Sequence, residues 1–285
     1  MANTNSNVTR SIAQTAQFVQ ELWTRDVQQP FDALLQAAKL VQDRSGLASD
    51  GGDLIRVPFA GTVNARAKAA STNVTYDSPD GTPIQLNIDK HYYVAVLIED
   101  IAKVQSNYEL ASIFKQRMAE GVARQIDTDV MALYSGAGTS VAGGSAVDDA
   151  DILSVVYAFD AANVPQSLRR GIIGHNTKAD LMAVARYTEW DKTGKTGKAV
   201  DGSDGLVSTL YGIDLYHSGN VPTSSTGRNL FFHKNAISLI QQQRPKFEME
   251  YSVDAIGTKT VLHAIYGTGI ERASAVVELT RNTAP

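Results

Sequence analysis

Between residues 60 and 83 the chain contains a stretch that cannot bury itself, and this constrains every fold open to it. Of the 24 residues from Ala60 to Pro83, only Val63, Val74 and Tyr76 are large and apolar, set among mainly Gly, Ala, Ser, Thr, Asn and Lys. A compact domain rarely carries an unstructured connection longer than about 12 to 15 residues. The flanks have the opposite character. Leu54-Ile55-Arg56-Val57-Pro58-Phe59 on one side and Ile84-Gln85-Leu86-Asn87-Ile88-Asp89 on the other carry strand patterns, the second strictly alternating. They read as the two legs of a hairpin whose long tip must find its partners outside its own core.

Other segments also leave surface unsatisfied. The opening MANTNSNVTR is a polar tail. Two amphipathic stripes follow, Ile12/Ala16/Val19/Trp23 and Phe31/Leu34/Leu35/Ala38/Val41, broken near Gln29-Pro30 and stopped by Gly46. Two short helices make no core, so this arm must lie on the rest of the chain or on another molecule. His91 to Ile98 is nearly continuous apolar, which predicts a strand buried on both faces. From about Asn107 to Tyr134, Leu110, Phe114, Met118, Val122, Ile126 and Val130, assisted by Ile113 and Leu133, predict a helix of roughly 40 Å. Their four-residue spacing drifts by about 40° per step, so the stripe winds and touches more than one neighbour. Asp127 and Asp129 point about 200° apart; they cannot chelate together and read as solvated or salt-bridged.

After the flexible break from Ser135 to Gly144, Asp148 or Asp149 caps a helix bearing Ile152, Val155, Val156 and Phe159. An α/β region follows, with a strand at Arg170–Gly174 and a helix through Leu181, Met182, Val184 and Ala185, capped by Asn176 or Thr177. Residues 188–205 form a polar loop. Strands then dominate, at 212–216, 229–232, 236–240, 247–251, 259–266 and 275–279.

Composition removes several classes of function. At 285 residues the chain exceeds the usual single core of about 100 to 200, so two core regions or one with long excursions are expected. With 43% hydrophobic and 20% charged residues, the body is not disordered. A net charge of −4 provides no large positive field for nucleic acid. Absence of cysteine eliminates disulfides and thiolate chemistry. No run of about 18 apolar residues and no basic-then-apolar leader is present, which predicts a soluble, non-secreted protein with no membrane contact.

The search for chemistry is equally restrictive. Gly194-Lys195-Thr196 fails as a phosphate loop, because Glu189 stands where the first glycine is needed and no apolar strand leads in. Gly136/Gly138 and Gly267/Gly269 lack the third glycine of a dinucleotide fingerprint. No histidine lies within helical spacing of another, and His91, His217 and His263 read as half-buried or edge residues of strands. His175, between a strand and a helix, is the best remaining candidate for a general base. No catalytic residue, cofactor site or metal site is expected.

The order of the elements resembles that of the tailed-phage major capsid proteins with the Hong Kong 97 fold. The likeness is carried by Ile55-Arg56-Val57-Pro58, Ile88-Asp89-Lys90-His91-Tyr92-Tyr93, Glu99-Asp100-Ile101-Ala102-Lys103 and Gln125-Ile126-Asp127-Thr128-Asp129. It continues through Ala162-Asn163-Val164-Pro165, Arg169-Arg170-Gly171-Ile172, Leu210-Tyr211-Gly212-Ile213-Asp214-Leu215, Ser218-Gly219-Asn220-Val221-Pro222 and Tyr266-Gly267-Thr268-Gly269-Ile270, covering nearly the whole chain.

The resemblance implies an α+β fold. Its parts are an N-terminal arm at 1–53, an E-loop hairpin at 54–98 and a peripheral (P) domain with the spine helix at 99–147. An α/β axial (A) domain at 148–240 and closing P-domain strands at 241–285 complete it. It also implies a non-enzymatic virion protein, assembled in the host bacterial cytoplasm as pentamers and hexamers of an icosahedral shell. That shell would enclose double-stranded DNA without sequence-specific binding.

A separate scaffolding protein and a portal protein are the implied partners, the presence of decoration proteins is left open, and no cleaved pro-segment is expected. Contacts between subunits are expected at Ile12, Val19, Trp23, Arg66, Lys68, Val74 and Tyr76. The Lys–Asn cross-link of some relatives is not carried over, since Lys68 lies in the excursion but no motif marks its partners. An encapsulin-type compartment is the alternative shell, and an α/β enzyme using His175 is the alternative of a different class.

Overall fold

The structure is a computed structural model that describes residues 36–48, 51–58, 63, 65–76, 81, 83–101, 110–184, 187, 206–223 and 226–282. In chain order the main elements are α1 (Ala37–Leu40), β1 (Gln42–Asp43), β2 (Leu54–Val57), β3 (Ile84–Asn87), β4 (Lys90–Glu99), α2 (Leu110–Met131), β5 (Thr139–Ala142), α3 (Asp149–Ala161), β6 (Arg169–Ile173), α4 (His175–Ala183), β7 (Leu206–Leu210), β8 (Ile213–His217), β9 (Thr226–His233), β10 (Ile237–Ser252), β11 (Gly257–Ile270) and β12 (Val276–Asn282). They build a four-stranded sheet of order β1-β10-β11-β4, a six-stranded sheet of order β5-β12-β9-β6-β8-β7, and the isolated hairpin β2-β3.

The six-stranded sheet carries the densest core. Ile172, Ile173, Ile213, Leu230, Phe231, Phe232, Val276, Val277 and Leu279 are buried there, and α3 adds Ile152, Val155 and Phe159. Helix α3 starts as the sequence foretells: Asp148 caps it by accepting from the Asp151 N–H, and the Asp151 carboxylate answers the Asp148 N–H. Buried Arg169 closes its other end, donating to Asp160, Val164 O and Pro165 O. β5 and β12, on either side of segment 148–240, both pair into this sheet.

Helix α2 joins the two sheets. Its 22 residues span about 33 Å. Met118, Val122, Ile126, Val130 and Met131 are buried, and the winding stripe does touch successive neighbours. Near its start Thr260 of β11 donates to the Met118 sulfur; near its end Tyr266 donates to Asp129 at 2.7 Å and Lys90 pairs with the same carboxylate at 3.2 Å.

Several sequence expectations are corrected. β4 is not buried on both faces: only Ile98 is fully buried, because β4 is the edge strand of its sheet and α2 covers one side. The strands read separately at 236–240 and 247–251 are one strand, β10, interrupted only by register shifts between Gln241 and Lys246. Pro245 sits within that irregular stretch, where a missing N–H is tolerated. The arm helix ends at Leu40 and not at Gly46, since Val41 turns extended to lead into β1. Helix α4 begins at His175 behind Gly174, with neither Asn176 nor Thr177 as its cap.

Candidate assembly surface

The legs of the excursion pair in the expected antiparallel register, Leu54 with Asn87 through Val57 with Ile84. Alternation puts Leu86 and Ile88 inward, where with Ala48 and Ile240 they form a second, small core flanked by Ile55, Val57, Ile84 and Ile265. This core lies on the face of the four-stranded sheet turned away from α2. Two glycines of β11 permit the crossing: a Cβ on Gly267 would stand 2.1 Å from Asn87 O, and one on Gly269 would stand 2.6 Å from Leu86 Cδ2. The hairpin base is thus clamped to the subunit.

Its tip is not. Residues 65–76 are exposed throughout and contain no strand, with one local turn in which Thr72 donates to Ala69 O. Tyr76 is 90% exposed, Val63 and Val74 are well exposed, and Arg66 and Lys68 stand on the same segment without an acidic residue among 65–76. A clamped base under an uncovered tip is the geometry of a part that is finished by contact with another molecule.

The same sheet offers an open area beside the hairpin base. Register places Tyr93, Ala95 and Leu97 of β4 opposite His263, Val261 and Lys259 of β11, all on the face away from α2. Tyr93 is 69% exposed and Leu97 is also exposed. At the tip of the β10–β11 hairpin Val253 is 78% exposed, and exposed Ile256 is held at φ 43°, a left-handed conformation costly for a β-branched residue.

The arm's exit is fixed by polar contacts. Asp127 is fully buried, contrary to the solvated or salt-bridged reading. Its carboxylate accepts from the Ala38 N–H at 3.2 Å and from Ser218 Oγ and Asn220 Nδ2 at 3.3 Å, joining α1, α2 and the loop after β8. Burial raises its pKa, opposed by the donors from Ala38, Ala37, Asn220 and Ser218. Next along, β1 pairs parallel with β10, and Arg44 makes a two-pronged contact with Glu271 at 2.8 and 2.9 Å.

Of the residues expected at contacts between subunits, Arg66, Lys68, Val74 and Tyr76 lie together on the exposed excursion, whereas Ile12, Val19 and Trp23 fall outside the described residues. Sequence reasoning did not foresee the exposure of Tyr93, Leu97, Val253 and Ile256. The first two were hidden by a run that looks uniformly buried; alternation against β11, which only the strand order reveals, exposes them. Asp127 had a readable signal, since it lies four residues before buried Met131 and so shares its side of the helix.

Among the described residues, His217 and Lys178 stand within electrostatic reach of His175, and no carboxylate pairs with it to make a catalytic set. His175 is exposed at the first residue of α4 and lines neither the 320 Å³ cavity, which includes His233, Arg272 and Glu271, nor the 350 Å³ cavity between α1, α2 and Pro245. No group of three or more His, Asp or Glu stands together among the described residues. Gly194-Lys195-Thr196 lies outside them.

A family model described as phage capsid protein matches residues 92–279. Solved structures agree along almost the full length. One from Mycobacterium phage Che8 superposes with a TM-score of 0.78 at 25% identity, covering 92% of this chain and 97% of that one. The capsid of cyanophage P-SCSP1u gives 0.77 at 18% identity, covering 95% of both chains. The mature capsid of bacteriophage PhiM1 gives 0.75 at 12%, covering 94% and 93%. No curated protein matches the chain.

Proposed function

Because the chain belongs to the phage capsid protein family and has the Hong Kong 97 fold, we propose that it is the major capsid protein of a tailed phage, closing as pentamers and hexamers into an icosahedral shell. The observation that carries this reading is the excursion, clamped at Gly267 and Gly269 and uncovered from 65 to 76. A neighbouring subunit lies against the exposed excursion, with Arg66, Lys68, Val74 and Tyr76 at that contact. The arm, through Ile12, Val19 and Trp23, makes a second one.

The finer parts of the reading follow from the same identification. The shell encloses double-stranded DNA, which a chain of net charge −4 contains without gripping its sequence. A separate scaffolding protein guides assembly in the host bacterial cytoplasm, and a portal occupies one vertex. No helix among the described residues is long and apolar enough to cross a membrane. The solved structures compared above favour a virion over an encapsulin-type compartment.

The test is electron microscopy of the full chain co-expressed with its phage's scaffolding protein, beside a variant in which residues 65–79 are replaced by a short Gly-Ser turn. The parent forms closed shells and the variant remains as folded, unassembled subunits. Normal particles from the variant would remove the excursion from the account. A variant that fails to fold would place the excursion in the subunit's own core.

A further inference from the structure

We propose that His91 and His263 form a binding site for a divalent transition-metal ion of the zinc or nickel class on the open face of the four-stranded sheet. The two residues are far apart in sequence, and no helical spacing connects them; strand pairing brings them together. Register sets His91 opposite Ile265 and His263 opposite Tyr93, which makes the two imidazoles diagonal neighbours on the face turned away from α2. Such neighbours are within reach of each other's aromatic side chains. Their ring centres are 5.5 Å apart with the planes inclined at 74°.

That separation is the one a shared ion requires. Zinc binds imidazole nitrogen at about 2.0–2.1 Å, which places each ring centre about 3.2 Å from the metal. Two such rings on a tetrahedral ion have centres about 5.2 Å apart. Binding therefore needs rotation of the two side chains and no movement of either strand.

The surroundings suit the chemistry. His91 is exposed, so a hydrated ion reaches it directly. Gln243 Nε2 lies 3.1 Å from His263 Nε2; turning that amide over presents Oε1 to an Nε2–H, and in that tautomer Nδ1 is left to the metal. Lys246, the cation paired in register with His263, is neutralised by Glu248 at 2.7 Å. With no third protein ligand in the described cluster, water fills the remaining positions, and the site is weaker than a closed structural zinc centre. The inference does not depend on the shell assignment.

Isothermal titration of the full-length unassembled chain with zinc chloride, and separately with nickel chloride, tests it. One ion per chain binds at about pH 7.5. His91→Ala and His263→Ala each weaken binding roughly tenfold or more, the double variant abolishes it, and His175→Ala leaves it unchanged. Because His91 is exposed, its variant keeps the fold, which circular dichroism confirms. Absence of binding at about pH 7.5, or unchanged binding by His91→Ala, would overturn the proposal.

Discussion

Gly267→Ala isolates the crossing that clamps the excursion to its subunit. In an unobstructed strand, replacing glycine by alanine stabilises a protein by about 0.4–1 kcal/mol, because it restricts the unfolded chain. At Gly267 the added carbon would stand 2.1 Å from Asn87 O and 3.0 Å from Asn87 C, and backbone atoms cannot rotate aside. The hairpin leg must lift instead, drawing Leu86 and Ile88 out of the small core they form with Ala48 and Ile240. Complete exposure of both side chains costs about 3–6 kcal/mol, so lifting them halfway costs about 1.5–3 kcal/mol and outweighs the entropic gain. Urea unfolding should therefore show a net loss of about 0.5–2.5 kcal/mol, with faster proteolysis of the hairpin legs. Gly269→Ala, which meets only the movable Leu86 side chain at 2.6 Å, loses less. Gly46→Ala, with nothing within 4 Å, stays within about 0.5 kcal/mol of the parent. A Gly267→Ala protein as stable as the parent, or more so, would show that the leg does not cross there.

Asp127 makes stability depend on pH in a defined direction. Its folded pKa is raised by burial above the ordinary 3.8. Within the window from 3.8 up to that raised value the folded state holds the extra proton, so stability falls as pH rises and is level above it. Asp127→Asn removes this slope, and the difference between the two proteins in urea titrations across that range measures it; parallel curves would refute it. Tyr93→Ser, at an exposed position, changes subunit stability by less than about 0.5 kcal/mol. It nevertheless raises the concentration needed for assembly roughly tenfold, the effect of about 1.4 kcal/mol at a contact, read by light scattering; an unchanged threshold would take Tyr93 out of the interface. Capsomer association weakens with salt, since Arg66 and Lys68 bring exposed charges worth about 0–1 kcal/mol per pair to a neighbour. Sedimentation that is indifferent to salt would assign the contact to apolar groups alone.

Much of this architecture is legible in the residues because local chemistry decides it. The Ile84/Leu86/Ile88 alternation, the Asp148–Asp151 capping pair and the Met118/Val122/Ile126/Val130 stripe each specify their element without reference to anything distant. The excursion is legible for the converse reason, as too few apolar residues leave it nothing to pack. What stayed hidden depends on strand order. Nothing in the HYYVAVLI run reveals that β4 is an edge, so Tyr93 and Leu97 looked buried; nothing local joins His91 to His263, or Asp127 to Ala38 and Ser218. Gly267 and Gly269 were visible as a broken dinucleotide fingerprint and as part of one phrase of the family likeness, whereas the structure makes them the place where β3 passes. Pro245 separated two predicted strands, and the bulges of β10 absorb it.

The central claim is that residues 63–76 are completed by a neighbouring subunit, and an electron cryomicroscopy map of assembled shells tests it most directly. The account predicts ordered density for this segment lying against an adjacent subunit, with Val74 and Tyr76 buried in that contact and the hairpin base still clamped at Gly267. Density that folds the segment back onto its own subunit, or leaves it exposed in every position of the shell, would contradict it.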